Sequence, residues 1–173
     1  MDHTDVGLQA AMRALTDVVA PVVGAEHAQA RDQLRLTVDY LAFVVKRLPY
    51  LHQRDRFELS HHLAMAHDLH ADLGANPAPQ LKAAIDAGET VLKLGDPGTS
   101  TVRQATATLS AAVSAVLHDS TCLEESVRSK IEHHVLHASK KRIAFERSWY
   151  QPLGLDPDPH EVRPLLEFLP ASH

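Results

Sequence analysis

The stretch Phe57-Glu-Leu-Ser-His-His-Leu-Ala-Met-Ala-His-Asp-Leu-His-Ala-Asp-Leu-Gly74 decides how this chain folds. Leu59, Leu63, Ala66 and Leu73 recur at helical spacing, so a rotation of about 100° per residue gathers them on one face. The same rotation sets His62 and His70 within that stripe, places His67 on its border and turns His61 away from it. Glu58 lies one turn before His62 and within its reach. Asp55 is placed to cap the helix, and Gly74 ends it.

Working outward, the preceding segments read as two more helices. From about Thr4 to Ala20, Leu8, Met12, Leu15, Val19 and Val22 share a face; Pro21 kinks or ends the helix, and Gly24 offers a left-handed terminal residue. From about Ala25 to Leu48 the seam is Leu34, Val38, Leu41, Val45 and Leu48, with His27 on it near the start and Pro49 closing it.

Beyond Gly74, Asn76-Pro77 reads as the cap and first position of a fourth helix, with Leu81, Ile85, Gly88 and Leu92 on its seam. Gly88 there marks a close-packing point. After the turn Gly95-Asp-Pro-Gly-Thr-Ser100, a capping box Thr101-x-x-Gln104 opens a fifth helix facing inward with Val102, Ala105, Leu109, Val113 and Val116. A second box, Thr121-x-x-Glu124, sits at the start of the sixth, Cys122 to about Trp149. The sixth stripe is Leu123, Val127, Ile131, His134, Ala138 and Phe145.

The expected fold is therefore all-α: a single-domain antiparallel bundle of about six helices over residues 1–150, with a Pro-rich extended tail over 151–173. Prolines at 152, 157 and 159 forbid a continuous helix there, and Leu153, Leu155, Leu165, Leu166 and Phe168 predict packing on the bundle or on a second subunit. Composition agrees: hydrophobic residues are 45% of the 173 but aromatics only 5%, so Leu, Val and Ala must build the core.

A net charge of −5 argues against nucleic-acid binding, which needs a basic surface. The lone Cys122 excludes an intramolecular disulfide and fits a reducing compartment. No apolar run approaches the roughly 20 residues of a membrane span, and Met1-Asp-His-Thr-Asp5 does not read as a signal peptide. A cytoplasmic location is expected.

Three functional classes stand open. The first is a binding or accessory protein with a histidine-lined interior, whose surplus apolar faces suit a homodimer. The second is a metal-dependent enzyme: Glu58, His62, His70 and His134, with His27 as an addition, supply imidazole and carboxylate donors for Fe, Zn or Mn. His133 and His137 form a further pair. The third is a metal-free enzyme on a small anionic substrate. Between Arg128 and Arg147 the sixth helix carries six Lys/Arg residues, and Lys140, Lys141 and Arg142 are the candidate anion grip.

Known templates match in part only. Ferritin-like di-iron sites need two Glu-x-x-His motifs, and Glu58-Leu-Ser-His61 supplies one. The His-Glu-x-x-His pattern is absent. His67 lacks the Lys-Gly expected beside a phosphorelay histidine. Arg35, Lys46 and Asp55 are faintly similar in spacing to the all-helical chorismate mutases, which grip a dicarboxylate with inward Arg and Lys; the run Asp55-Arg-Phe-Glu-Leu59 lacks that family's Arg-Glu pair. The plainer alternative is that His62, His70 and His134 are hydrogen-bonded core-border residues while His61, His67 and His133 are solvated.

Overall fold

The computed structural model describes residues 3–74 and 78–169. The fold is all-α, with six α-helices among the described residues: α1 Thr4–Ala14, α2 Ala28–Arg47, α3 Leu51–Leu73, α4 Pro79–Lys93, α5 Thr99–Asp119 and α6 Glu125–Tyr150. Among the described residues there is no strand, and no helix is long and apolar enough to cross a membrane. The chain divides into two compact units, Met1–Leu51 with Arg147–Arg163, and His52–Glu146 with Pro164–His173. α6 contributes to both units, and the residues after it are shared between them.

The larger unit holds the core. Leu59, Leu63, Ala66, Leu69 and Leu73 of α3 pack with Leu81, Ala84 and Ile85 of α4, Val102, Leu109 and Val113 of α5, and Ile131 of α6. Gly88 is the close-packing point its position suggested: a Cβ there would stand 3.1 Å from Leu63 Cδ2. A second, aromatic layer joins α3, α6 and the tail. Phe57 stacks on Phe145 at 3.9 Å between ring centroids, and Phe168 meets both edge-on.

Several helix ends differ from the sequence reading. α3 begins at Leu51 because a 3₁₀ turn, Leu48–Tyr50, absorbs Pro49 and leads straight into it. Asp55 is consequently mid-helix, where its carboxylate accepts from Arg103 Nε at 3.1 Å instead of capping. Neither expected capping box forms. α5 starts at Thr99 after Gly98 with no side-chain cap, and Thr121 Oγ1 donates to the His118 carbonyl in a 3₁₀ turn before α6. Asn76 and Pro77 lie outside the described residues.

In the smaller unit α1 does not stop at Pro21 but changes pitch before it. Leu15–Val19 form a π turn and Ala20–Val22 a 3₁₀ turn. Pro21 has no N–H to donate back along the helix, and the local ladder rearranges around the missing bond. Gly24 is not left-handed; that conformation is adopted by Gly74 (φ 53°) after α3 and Gly154 (φ 69°) in the tail. His27 precedes α2 instead of lying on its seam, with Nε2 3.4 Å from Glu26 Oε1 in solvent.

α1 and α2 pair through half-buried Leu8, Met12, Leu15, Leu34, Val38, Leu41 and Val45. Further along α2, Phe43 is buried and stacks on Tyr150. Arg47 donates to the carbonyls of Ser148 and Trp149 at 2.9 and 2.7 Å and lies over the Trp149 ring. These contacts satisfy terminal carbonyls of α6 that have no intrahelical partner. The tail then breaks into short 3₁₀ turns, as its prolines require.

Candidate functional site

α3 and α6 run antiparallel, which sets pairs of side chains opposite one another along their length. Arg54 lies 3.3 Å from Glu146, Glu58 4.0 Å from Arg142, and Asp72 2.6 Å from His134. The histidines therefore occupy different levels of one long contact.

At the first level are Glu58, His61 and His62. His62 Nδ1 donates to the Glu58 carbonyl at 2.9 Å, with the Glu58 carboxylate 4.0 Å away. A carbonyl only accepts, so Nδ1 carries a proton. His61, expected to face solvent, is 5% exposed. It stacks parallel to Phe57 and meets His62 edge-on. Burial pushes the His61 imidazole down to about 4, helped by His62 and by the positive charges of Lys141 and Arg142. His61 is thus neutral near pH 7. The signal for its burial was Phe57, four residues earlier, which marks a second apolar face of α3 turned toward α6.

At the second level His134 Nδ1 lies 2.6 Å from Asp72 Oδ2, with both side chains partly buried. Asp72 was not singled out from the sequence, although a carboxylate in the last turn of a helix opposes the dipole there and asks for a cationic or donor partner. His70 places its Nδ1 in the interior without a hydrogen-bond partner.

The four residues Glu58, His62, His70 and His134 are not brought together. From His62 to Asp72 is ten residues of α3, a rise of about 15 Å, which separates the Glu58–His62 pair from His134. Among the described residues no group of three or more His, Cys, Asp or Glu side chains stands in metal-binding arrangement. His133 and His137 are exposed on α6, and exposed His67 has Nε2 3.0 Å from Glu89 Oε1.

Lys140, Lys141 and Arg142 are exposed at the first level. Lys140 and Lys141 make no ion pair among the described residues, and the nearest carboxylate to Arg142 is that of Glu58. Three cations and the neutral imidazole of His61 therefore stand near one internal carboxylate, a surface suited to holding a second, external anion.

The smaller unit contains a separate feature. Between α1 with its π turn and α2 lies a cavity of about 560 Å3, floored by Leu15, Leu34 and Val38. Its rim carries Arg31, Asp32, Arg35 and Asp39, with Arg35 3.3 Å from Asp39 and 4.0 Å from Asp32. Comparison of the chain with protein-family models, with curated proteins and with solved structures finds no match.

Proposed function

We propose that this chain is a cytoplasmic binding or accessory protein that works as a homodimer and takes a small anion on the Lys140–Arg142 segment of α6. The observation that carries the anion reading is geometric: Lys140, Lys141 and Arg142 stand exposed together on α6, and the carboxylate nearest to them, that of Glu58, is 4.0 Å from Arg142. That contact is loose, so the face accepts a carboxylate and leaves the cation only partly satisfied.

An anion bound there neutralises the potential at His61. Inorganic phosphate is the probe, with sodium chloride at equal ionic strength as the control for screening. At ten times its dissociation constant, phosphate raises the melting temperature by about 3–6 °C. Lys141→Ala abolishes the rise, and NMR titration of His61 in the wild type moves its midpoint upward from about 4 when phosphate is present. A phosphate effect no greater than that of chloride refutes the anion reading. The dimer is read by light scattering at micromolar concentration, where the mass of one chain refutes it.

A further inference from the structure

We propose that two copies of the chain associate through their α1–α2 hairpins, groove to groove about a twofold axis, to make a four-helix arrangement in which the cavity beside Leu34 and Val38 is filled by the partner. The inference rests on the homodimer reading above and names its face.

From residue 3 to residue 42 no side chain is fully buried. α1 is 11 residues long and buries none of them. A helix of that length is marginal in water and draws its stability from packing, so an apolar seam left half-open is an incomplete core. Exposed apolar side chains continue through the turns that follow α1: Val18 is 66% exposed and Val22 79%. A hairpin of two antiparallel helices with such a seam is half of a four-helix bundle.

The charges on the rim suit a second copy and disfavour a strongly charged foreign partner. Twofold association sets a surface against itself, so a rim of one sign would repel. This rim carries two arginines and two aspartates, Arg31 and Arg35 with Asp32 and Asp39. Arg35 is held between the two aspartates, and Arg31 makes no ion pair among the described residues. Arg31 is thereby available to an aspartate of the other copy, and the reciprocal contact follows from the symmetry. A strongly basic or acidic partner, or an amphiphilic anion, finds no matching excess of charge here.

The test uses the full chain, with Val38→Glu to place a charge on the groove floor and circular dichroism to check that helicity is retained. Sedimentation equilibrium is expected to show a wild-type dimer whose dissociation constant Val38→Glu weakens about 100-fold or more. A dimer unaffected by a folded Val38→Glu overturns this face while leaving the homodimer standing. A wild-type monomer at tens of micromolar overturns both. If Val38→Glu loses helicity, Ala28→Cys in a Cys122→Ser background decides, because Ala28 lines the groove. A short bismaleimide then links the chains of the dimer if the grooves face each other, and failure to link a dimer seen by sedimentation overturns the inference. A monomer that instead takes up an apolar dye, lost in Val38→Glu, assigns the groove to a small molecule and overturns it as well.

Discussion

The α1–α2 hairpin and the α3–α5 core are built from the same kind of amphipathic helix, yet they differ in how far they are closed. α3 buries eight residues, from Phe57 to Leu73; α1 buries none, and α2 buries Phe43 alone. The seams Leu8–Met12–Leu15 and Leu59–Leu63–Ala66 have equivalent spacing, so spacing does not account for the difference. The number of neighbours does. α3 meets α4 and α5 on one side and α6 on another, so both of its apolar faces are covered. Each helix of the hairpin covers the other along a single seam, and only the end of α2, at Phe43 and Arg47, meets a further element, the end of α6. A hydrophobic stripe states which way a helix faces, and the depth to which it sinks is decided by how many other helices arrive.

The contrast is broken most directly by equivalent truncations in the two regions. Leu59→Ala removes a side chain with no exposed surface from the contact of α3 with α4, beside Gly88, where no slack exists to refill the space. A loss of about 3–4 kcal/mol is expected. Leu34→Ala in half-buried α2 is expected to cost below about 1.5 kcal/mol in dilute chain, because much of that side chain already meets water. Urea denaturation measures both. Equal losses would show the hairpin to be as closed as the core.

A smaller effect comes from pH. His61 titrates at its ordinary 6.5 when unfolded and at about 4 when folded. Between these values the unfolded chain binds the additional proton, so the stability His61 contributes is complete above about pH 6.5 and is lost as pH falls through about 4. The upper bound is about 3 kcal/mol, lowered by salt screening of the Lys141 and Arg142 contribution. His61→Phe keeps the stack on Phe57 and removes the titration. Its stability should therefore be flatter than wild type between pH 4 and 6.5, and an unchanged slope would show that another group carries the acid sensitivity.

What the sequence made legible follows from the same physics. The α4 and α5 stripes lie inside as their spacing indicates, because each has one apolar face and one direction in which to bury it. Gly88 was legible as a contact point because a helix accepts glycine on its seam only for a compensating gain. The orientation of His61 was not, because α3 has two apolar faces and the Leu59–Leu63 stripe describes one of them. Helix starts were misjudged where the capping side chain found another partner: Asp55 is taken by Arg103 of α5, and Thr121 by the local His118 carbonyl three residues back. The assembly of Glu58 with His62 was readable at one-turn separation. The level of His134 was not, since nothing in either helix fixes how far one slides along the other until Phe57 meets Phe145.

The tail sharpens the contrast further, because its first half is held by charge instead of apolar burial. Arg147 donates through Nε and a terminal nitrogen to the two oxygens of Asp156, both at 2.9 Å, and the Asp158 amide adds a third bond to the same carboxylate. The Arg147 hydrogen bonds hold Asp156 down at about 2, so this contribution is present above the ordinary carboxyl value of 3.8 and is lost as pH falls through about 2. Acid should therefore act on His61 first and release the 151–163 segment last. Arg147→Ala removes the clamp at every pH, and Arg147→Lys loses the two-pronged geometry that a lysine cannot make. Limited proteolysis is expected to cut within 151–163 in both variants, faster in Arg147→Ala, while the urea midpoint of the α3–α5 core stays at its wild-type value. If the core midpoint falls with the tail, the two units unfold as one, and the difference in their closure is a difference of packing without a difference of stability.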